Sequence, residues 1–542
     1  MPSLAIAGCF GRFATGMLPA SASPGKTRRN ADFIPAMPSL AIAGCFGRFA
    51  TGMPPASASP GSSGQKARFT PAFGSLPLLL IAVIAAAHDV APDAITPLLA
   101  VDAERAGDLP EFQPGGHGKF FVTGWDDTAQ RATWPITVAA PADYAVRVLV
   151  RRSAGGPLAV ELTAGTANVS AVLAADVSGW QRLPLDGPLP LGPDIRELTL
   201  RLRPAQTGEA FAADVHAVEV VQPAVRDALH ARALALRTDT AWLRRARYGV
   251  MVHWTSESMP LAGPPQPYPE AVAAFDTEAF AEAMAQTGAG FVVFTTSHAR
   301  MFFPAPLAAL DAVFPGRTAS RDLVADLAAA LGRRGIKLML YFHQGSGSDP
   351  EWLRLSGFDA PDSRRFYATW QAMIREAGTR YGERLAGWWF DDGAVAAYPR
   401  NPPWEDLTRA AKAGCPERLV CFNRWELASP TEFQDFDAGE GCTDPRGSGG
   451  LLTRGGDGRY PSGPQAGLQA TACLMAQAAW VHDRRDAPFH PPRWNAAELA
   501  ELFRAFAAYG NVPIFNLEIG QRGELSPDAI EMLRRAGRAA DD

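Results

Sequence analysis

Six short apolar runs in the second half of the chain each stop on side chains that can do acid–base or sugar-binding chemistry. YGVMVHW ends on His253 and Trp254, GFVVFTTSH on His298, and IKLMLYFH on His343. LAGWWFDD ends on Asp391 and Asp392, and RLVCFNRW on Asn423, Arg424 and Trp425. EFQDFDAGE passes Asp435 and Asp437 to reach Glu440. A single charged residue after a strand is ordinarily a solvated loop; six in succession call for a common cause. Two carboxylates flanking a substrate, indoles to stack on a ring and His or Arg to bind hydroxyls are the parts of a glycosidase. One acid must be ionised to attack the anomeric carbon and the other must hold a proton for the leaving oxygen. A metal site is the rival use of His and Asp. The spacing offers no tight ligand pair such as HxH or HxxxH, so no metal and no cofactor is expected.

The elements that carry these residues read as a parallel sheet. Each run is continuously apolar, as in a strand buried on both faces, and most are followed by an amphipathic helical stretch. NVPIFNL makes a further strand and LMAQAAWV another candidate, so residues 245–540 fit a (β/α)8 barrel of the TIM type; a doubly wound open sheet is the alternative. In a barrel the C-terminal strand ends share one rim, where catalytic residues gather. One helix can be read in detail. Ser320 stands at the expected N-cap with Asp322 in the first turn. Leu323, Leu327, Ala330 and Leu331 share a face, Arg333 and Arg334 close the end, and Gly335 stops it.

Upstream, residues 88–222 alternate apolar and polar side chains in short runs such as YAVRVLV and LTLRLRP, which predicts an all-β sandwich resembling the modules appended to carbohydrate enzymes. Trp125, Trp134 and Trp180 within it are either core or a sugar-stacking platform. Residues 223–244 contain no breaker and read as a helical connector. Residues 66–87 resemble a signal peptide, with Lys66 and Arg68, an apolar stretch from Leu76 to Ile84, and Ala85–Ala87 as a cleavage site. Residues 1–65 read as a disordered leader in which MPSLAIAGCFGRFATGM occurs twice. Export to the periplasm or outside the cell follows, with no stable membrane insertion once the signal is removed. A net charge of −5 gives no reason to expect a nucleic-acid partner. Six cysteines without CxxC spacing argue against zinc and read as free buried thiols; one bridged pair after export, such as Cys415 with Cys421, is the alternative.

Taken in order, these stretches resemble the α-L-fucosidases of glycoside hydrolase family 29. YGVMVHW is similar to that family's FGIFIHWG, FVVFTTSHARMFF to YVVLTTKHHDGF, and WWFDDG to the W-x-D-G region that carries the nucleophile. NRW before DFDAGE and the closing AYGNVPIFNLEIGQRGELSP also have counterparts, so the resemblance covers about 245–540. It implies a retaining glycosidase that releases terminal α-L-fucose, or a related sugar, from a glycan partner. Asp391 would be the nucleophile and Glu440 the acid/base, with Glu432 as the other candidate. His253, His298 and His343 would line the sugar site, Arg424 would reach the sugar or order a carboxylate, and Trp254, Trp389 and Trp425 would pack against the ring. Ala299 stands where the family has a second histidine, and Thr255 where it has glycine. These departures keep a second reading open, a weak or inactive carbohydrate-binding protein on a fucosidase-like barrel.

Overall fold

The 542-residue chain is described from a computed structural model. The residues described are 87–112, 121–175, 179–298, 300–343, 349–358, 360, 363–391, 402–424, 427, 429–442, 456–460 and 465–541. The duplicated leader, the signal-like stretch up to residue 86, Ala299, Asp392 and Trp425 lie outside them.

Two sheets form the N-terminal sandwich. One runs in the order His88–Val90, Arg131–Val138, Glu197–Pro204, Leu158–Ala164, Ala167–Leu173, and the other is centred on the long strands Ala142–Gly155 and Phe211–Val221. Period-two alternation sets the layers: Leu198, Leu200 and Leu202 are fully buried while Glu197, Arg201 and Arg203 face water. Trp125 and Trp134 belong to this core, and Trp134 Nε1 donates to the Leu99 carbonyl at 2.8 Å. Trp180 stays half-buried at the surface, with the Arg151 guanidinium 4.9 Å from its ring.

The connector is two helices, Pro223–Leu236 and Ala241–Arg245, rather than one. It breaks where Thr238 N donates to the side chain of Asp435 and so leaves the helical pattern. The second helix plugs the bottom of the barrel: Leu243 is fully buried among Met251, Phe291 and Val512, and Trp242 meets Phe291 edge-on.

Eight parallel strands follow. They are Gly249–Val252, Phe291–Ser297, Lys337–His343, Leu385–Asp391, Leu419–Phe422, a sixth in two pieces (Phe436–Asp437 and Glu440–Cys442), Gln469–Met475 and Val512–Leu517. Their neighbour order, five-four-three-two-one-eight-seven-six, brings strand one beside strand eight and curls the sheet into a nearly closed barrel, which excludes the open doubly wound sheet. Strand four shows why such strands are apolar throughout. Trp388 and Phe390 point outward into the layer beneath the helices, and Trp389 points inward onto Tyr341. Asp391 continues the inward row to the rim.

Strands five and six share no continuous backbone ladder among the described residues, and side chains close that seam together with two isolated backbone bonds, one of them from Arg424 N to the Ala438 carbonyl at 3.2 Å. Val420 N donates to Asp435 Oδ2 at 2.8 Å, Phe422 N to Gln434 Oε1 at 3.0 Å, and Asp435 N to the Val420 carbonyl at 2.8 Å. Lys412 Nζ lies 2.9 Å from Asp435 and balances a charge whose burial raises its pKa.

The helix foreseen after residue 320 spans Leu323–Gly332 and is capped by Asp322, whose side chain accepts from Ala325 N at 2.8 Å. The cap sits two residues later than expected because Leu323 is already buried. Cys415 and Cys421 are free thiols, not a bridge; Cys421 lies in the barrel interior, where burial pushes its thiol pKa up.

Candidate active site

The inward row of strand four delivers Asp391 to the C-terminal rim, and strand six delivers Glu440. One side chain joins them. Asn423, just past the end of strand five, donates from Nδ2 to Asp391 Oδ1 at 2.8 Å and to Glu440 Oε1 at 2.6 Å. Because both bonds end on one nitrogen, these oxygens lie no more than about 5.4 Å apart, compatible with the roughly 5–5.5 Å separation of the carboxyl groups in retaining glycosidases. The second oxygen of Asp391 accepts from the Tyr341 hydroxyl at 2.5 Å. Asp391 is buried and Glu440 half-buried, so one is enclosed and the other reachable from solvent.

Three histidines stand on the other side of Tyr341. The rings of His253 and His298 are 5.4 Å apart, those of His298 and His343 5.3 Å, and His253 lies 4.8 Å from the Tyr341 ring. His343 pairs in register with Asp391 on the neighbouring strand. His253 is buried, and burial lowers its pKa to about 4, with His343 adding in the same direction; it is neutral at pH near 7. Its tautomer follows from its partner. Asn516 Nδ2 donates to the carbonyl of Trp480 at 3.1 Å, which turns Asn516 Oδ1 toward His253 Nδ1, 2.7 Å away. Nδ1 therefore carries the proton and Nε2 is left as an acceptor. Trp480, half-buried on the segment after strand seven, packs 5.1 Å from His253. Among the described residues no group of three or more His, Cys, Asp or Glu is placed to hold a metal ion.

Some of the expected site residues do not join this group. Trp254 follows His253 and so faces the opposite way. It is 1% exposed, packs between Tyr268, Phe275 and Phe294 in the outer layer, and donates to the Gln521 carbonyl. Trp389 lies one residue pair below Asp391, stacked on Tyr341 at 5.2 Å, so it forms the floor under the carboxylate. Arg424 is committed to Asp437 at 2.8 Å and to the Leu427 carbonyl at 2.6 Å; of the two roles expected for it, ordering a carboxylate is the one its contacts match. Glu432 lies between Arg147 and His230, against the sandwich. Trp425 is outside the described residues.

Three members of the site carry no role in the sequence reading: Tyr341, Asn423 and Asn516. Tyr341 sits two positions before His343 and Asn516 two after Ile514, so period-two counting back from the rim reaches both. Asn423 stands at a strand end, but nothing in the sequence tells a bridge between two acids from a loop amide.

Two carboxylates close together at the C-terminal rim of a parallel barrel are an arrangement that glycoside hydrolases use. The family model described as Alpha-L-fucosidase matches residues 265–538, half of the chain. The chain belongs to the α-L-fucosidase family, glycoside hydrolase family 29, and is a glycosidase of that class. Among solved structures it is similar to a family 29 α-L-fucosidase from Bacteroides thetaiotaomicron, at 18% identity over 56% of this chain and 73% of that one, TM-score 0.41. It is also similar to the α-L-fucosidase AlfC from Lactobacillus casei in complex with α-L-fucose, at 17% identity over 56% and 98%, TM-score 0.40. A variant of AlfC in complex with Fuca(1,6)GlcNAc gives 18% identity over 56% and 98%, TM-score 0.40. No curated protein matches the chain.

Proposed function

We propose that this fucosidase works by double displacement with Asp391 as nucleophile and Glu440 as acid/base. Asp391 attacks the anomeric carbon while Glu440 gives its proton to the departing glycosidic oxygen, leaving a glycosyl ester on Asp391 and an ionised Glu440. Glu440 then takes a proton from water, whose oxygen attacks the same carbon. Free sugar leaves with retained configuration, and both acids return to their starting states. The observation that carries this assignment is the shared Asn423 amide, which keeps the two carboxyl groups closer than the roughly 6.5–9.5 Å that an inverting arrangement needs. Neutral His253 offers Nε2 as acceptor to a sugar hydroxyl, with His298 and His343 beside it.

The test is a pair of variants on aryl α-L-fucosides and, for sugar choice, on aryl α-galactosides. Asp391→Asn keeps the fold and lowers kcat by about 10⁴-fold or more. Glu440→Ala costs on the order of 10²–10⁴-fold on poor leaving groups, while on activated aryl fucosides, where breakdown of the glycosyl ester becomes limiting, added azide, which needs no base, restores turnover. Parent-like rates in Asp391→Asn would falsify the assignment.

We also propose export, supported by the basic and apolar pattern of residues 66–87. N-terminal sequencing of protein from culture medium and periplasm, finding a start after Ala87, tests it.

A further inference from the structure

The segment between strands five and six is gripped from outside the barrel. Arg182, on the sandwich strand Gln181–Pro184, donates Nη1 to the Ser429 carbonyl at 2.9 Å while its Nε and Nη2 fork onto Glu219. Arg147 shares Glu219 at 3.1 Å and comes within 3.8 Å of Glu432, whose other oxygen meets His230 of the connector. Arg147, Arg182 and Glu219 are almost wholly buried, so the grip is a desolvated and rigid one.

What the sandwich holds leads directly to the carboxylate pair. Ser429 Oγ accepts from Gln434 Nε2 at 2.5 Å, and Gln434 Oε1 accepts from Phe422 N at 3.0 Å. The next residue is Asn423. Thr238 of the connector fixes Asp435, which accepts from Val420 N on the same strand. Among the described residues no continuous ladder pairs strands five and six, only the two isolated backbone bonds from Asp435 N to the Val420 carbonyl and from Arg424 N to the Ala438 carbonyl, and Asn423 and Glu440 lie on the two sides of this seam.

We propose that the sandwich is a positioning element for the acid/base: Arg182, acting through Ser429 and Gln434, sets where strand six presents Glu440 relative to Asp391. This rests on the assignment of Glu440 above. Arg182 touches neither substrate nor carboxylate and is a positioning residue.

The test is leaving-group dependence of kcat/KM, which reports the glycosylation step. Methyl α-L-fucoside needs a proton from Glu440, whereas 2,4-dinitrophenyl α-L-fucoside does not. Arg182→Gln is expected to lose about tenfold or more on the methyl glycoside and less than about threefold on the dinitrophenyl one. Ser429→Ala, which leaves the Arg182–Glu219 pair intact and removes the Oγ that accepts from Gln434, shows the same selectivity and decides the matter alone if Arg182→Gln does not fold. Equal losses on both substrates, or none on either, overturn the proposal. Glu440→Ala is measured in parallel. If it shows leaving-group selectivity and Arg182→Gln and Ser429→Ala do not, only the positioning role fails. If it shows none, the acid/base assignment itself fails.

Discussion

Tyr341 donates its hydroxyl to Asp391 Oδ2 at 2.5 Å from the strand next to it. The same ring lies stacked on Trp389, so its position is set by the barrel core and not by solvent. A hydrogen bond to an ionised carboxylate contributes about 1.5–3 kcal/mol. Tyr341→Phe removes that bond and little volume, and is expected to lower kcat roughly 10- to 100-fold without changing the melting temperature by more than a few degrees. Steady-state kinetics on an aryl fucoside beside a thermal melt checks both halves; a parent-like kcat would show that the hydroxyl does not steady the attacking group.

His253 links pH to stability. Its folded-state pKa, about 4 and lowered chiefly by burial, lies below the ordinary histidine value of roughly 6.5. Between those values the unfolded chain binds more protons than the folded one, so stability rises with pH across that window. The contribution is fully present above about pH 6.5 and is lost as pH falls toward 4, reaching at most about 3 kcal/mol. Urea unfolding near pH 7 and near pH 4.5 should show a smaller drop in His253→Gln than in the parent. Asn516→Asp places a carboxylate against Nδ1 and raises the His253 pKa, so Nε2 gains a proton and the acid rise in KM moves to higher pH. An unshifted KM profile would mean that Nε2 does not accept from the sugar.

Trp254 separates packing from recognition. It touches Tyr268, Phe275 and Phe294 behind the strand, on the face away from His253. Trp254→Phe leaves a cavity and an unpaired Gln521 carbonyl, and should cost about 1–3 kcal/mol of stability while KM stays within about twofold. A KM that rises tenfold at unchanged stability would return the indole to the sugar site.

The barrel is legible because a parallel strand buried on both faces must be apolar along its whole length, so Gly387–Phe390 and Val292–Phe294 announce themselves without alternation. Asp391 is legible for the same reason: a carboxylate directly after such a run has only the rim to occupy. The facing of neighbours could also be counted. His253 and Trp254 are adjacent, and a period of two sends them to opposite sides. Other features lie beyond any local pattern. The seam between strands five and six is closed by Gln434 and Asp435 side chains standing in for a ladder, and those two read as ordinary loop polarity. Arg424 pairs with Asp437 on the neighbouring strand, a choice made by tertiary packing. The bridge through Asn423 needs three strand ends at once.

Arg418 is a buried cation with no carboxylate partner among the described residues, and its surroundings explain how it is tolerated. The side chain is 0% exposed and donates to five carbonyls: Leu385, Ala411, Ala413, Gly378 and Gly382, at 2.7–3.0 Å. Four of these lie at or just past the C-terminal ends of helices Arg364–Tyr381 and Trp404–Ala411, where the helix dipoles are negative. Burial lowers the guanidinium pKa to about 10, so it stays charged at neutral pH. The planar fork is what reaches all five acceptors; an ammonium on a flexible stem offers three donors from one point. Gly378 shows how closely the fork is fitted, since a Cβ there would come within 2.7 Å of Arg418 Nη1. Arg418→Lys is therefore expected to lose at least two of the five bonds and to destabilise the fold by about 1–3 kcal/mol. The site is at the opposite end of strand four from Asp391, so kcat of the folded fraction should stay within about twofold of the parent. Urea unfolding together with active-site-titrated kcat measures the two quantities separately. A variant as stable as the parent would mean that the five bonds contribute nothing beyond what the helix ends obtain from water.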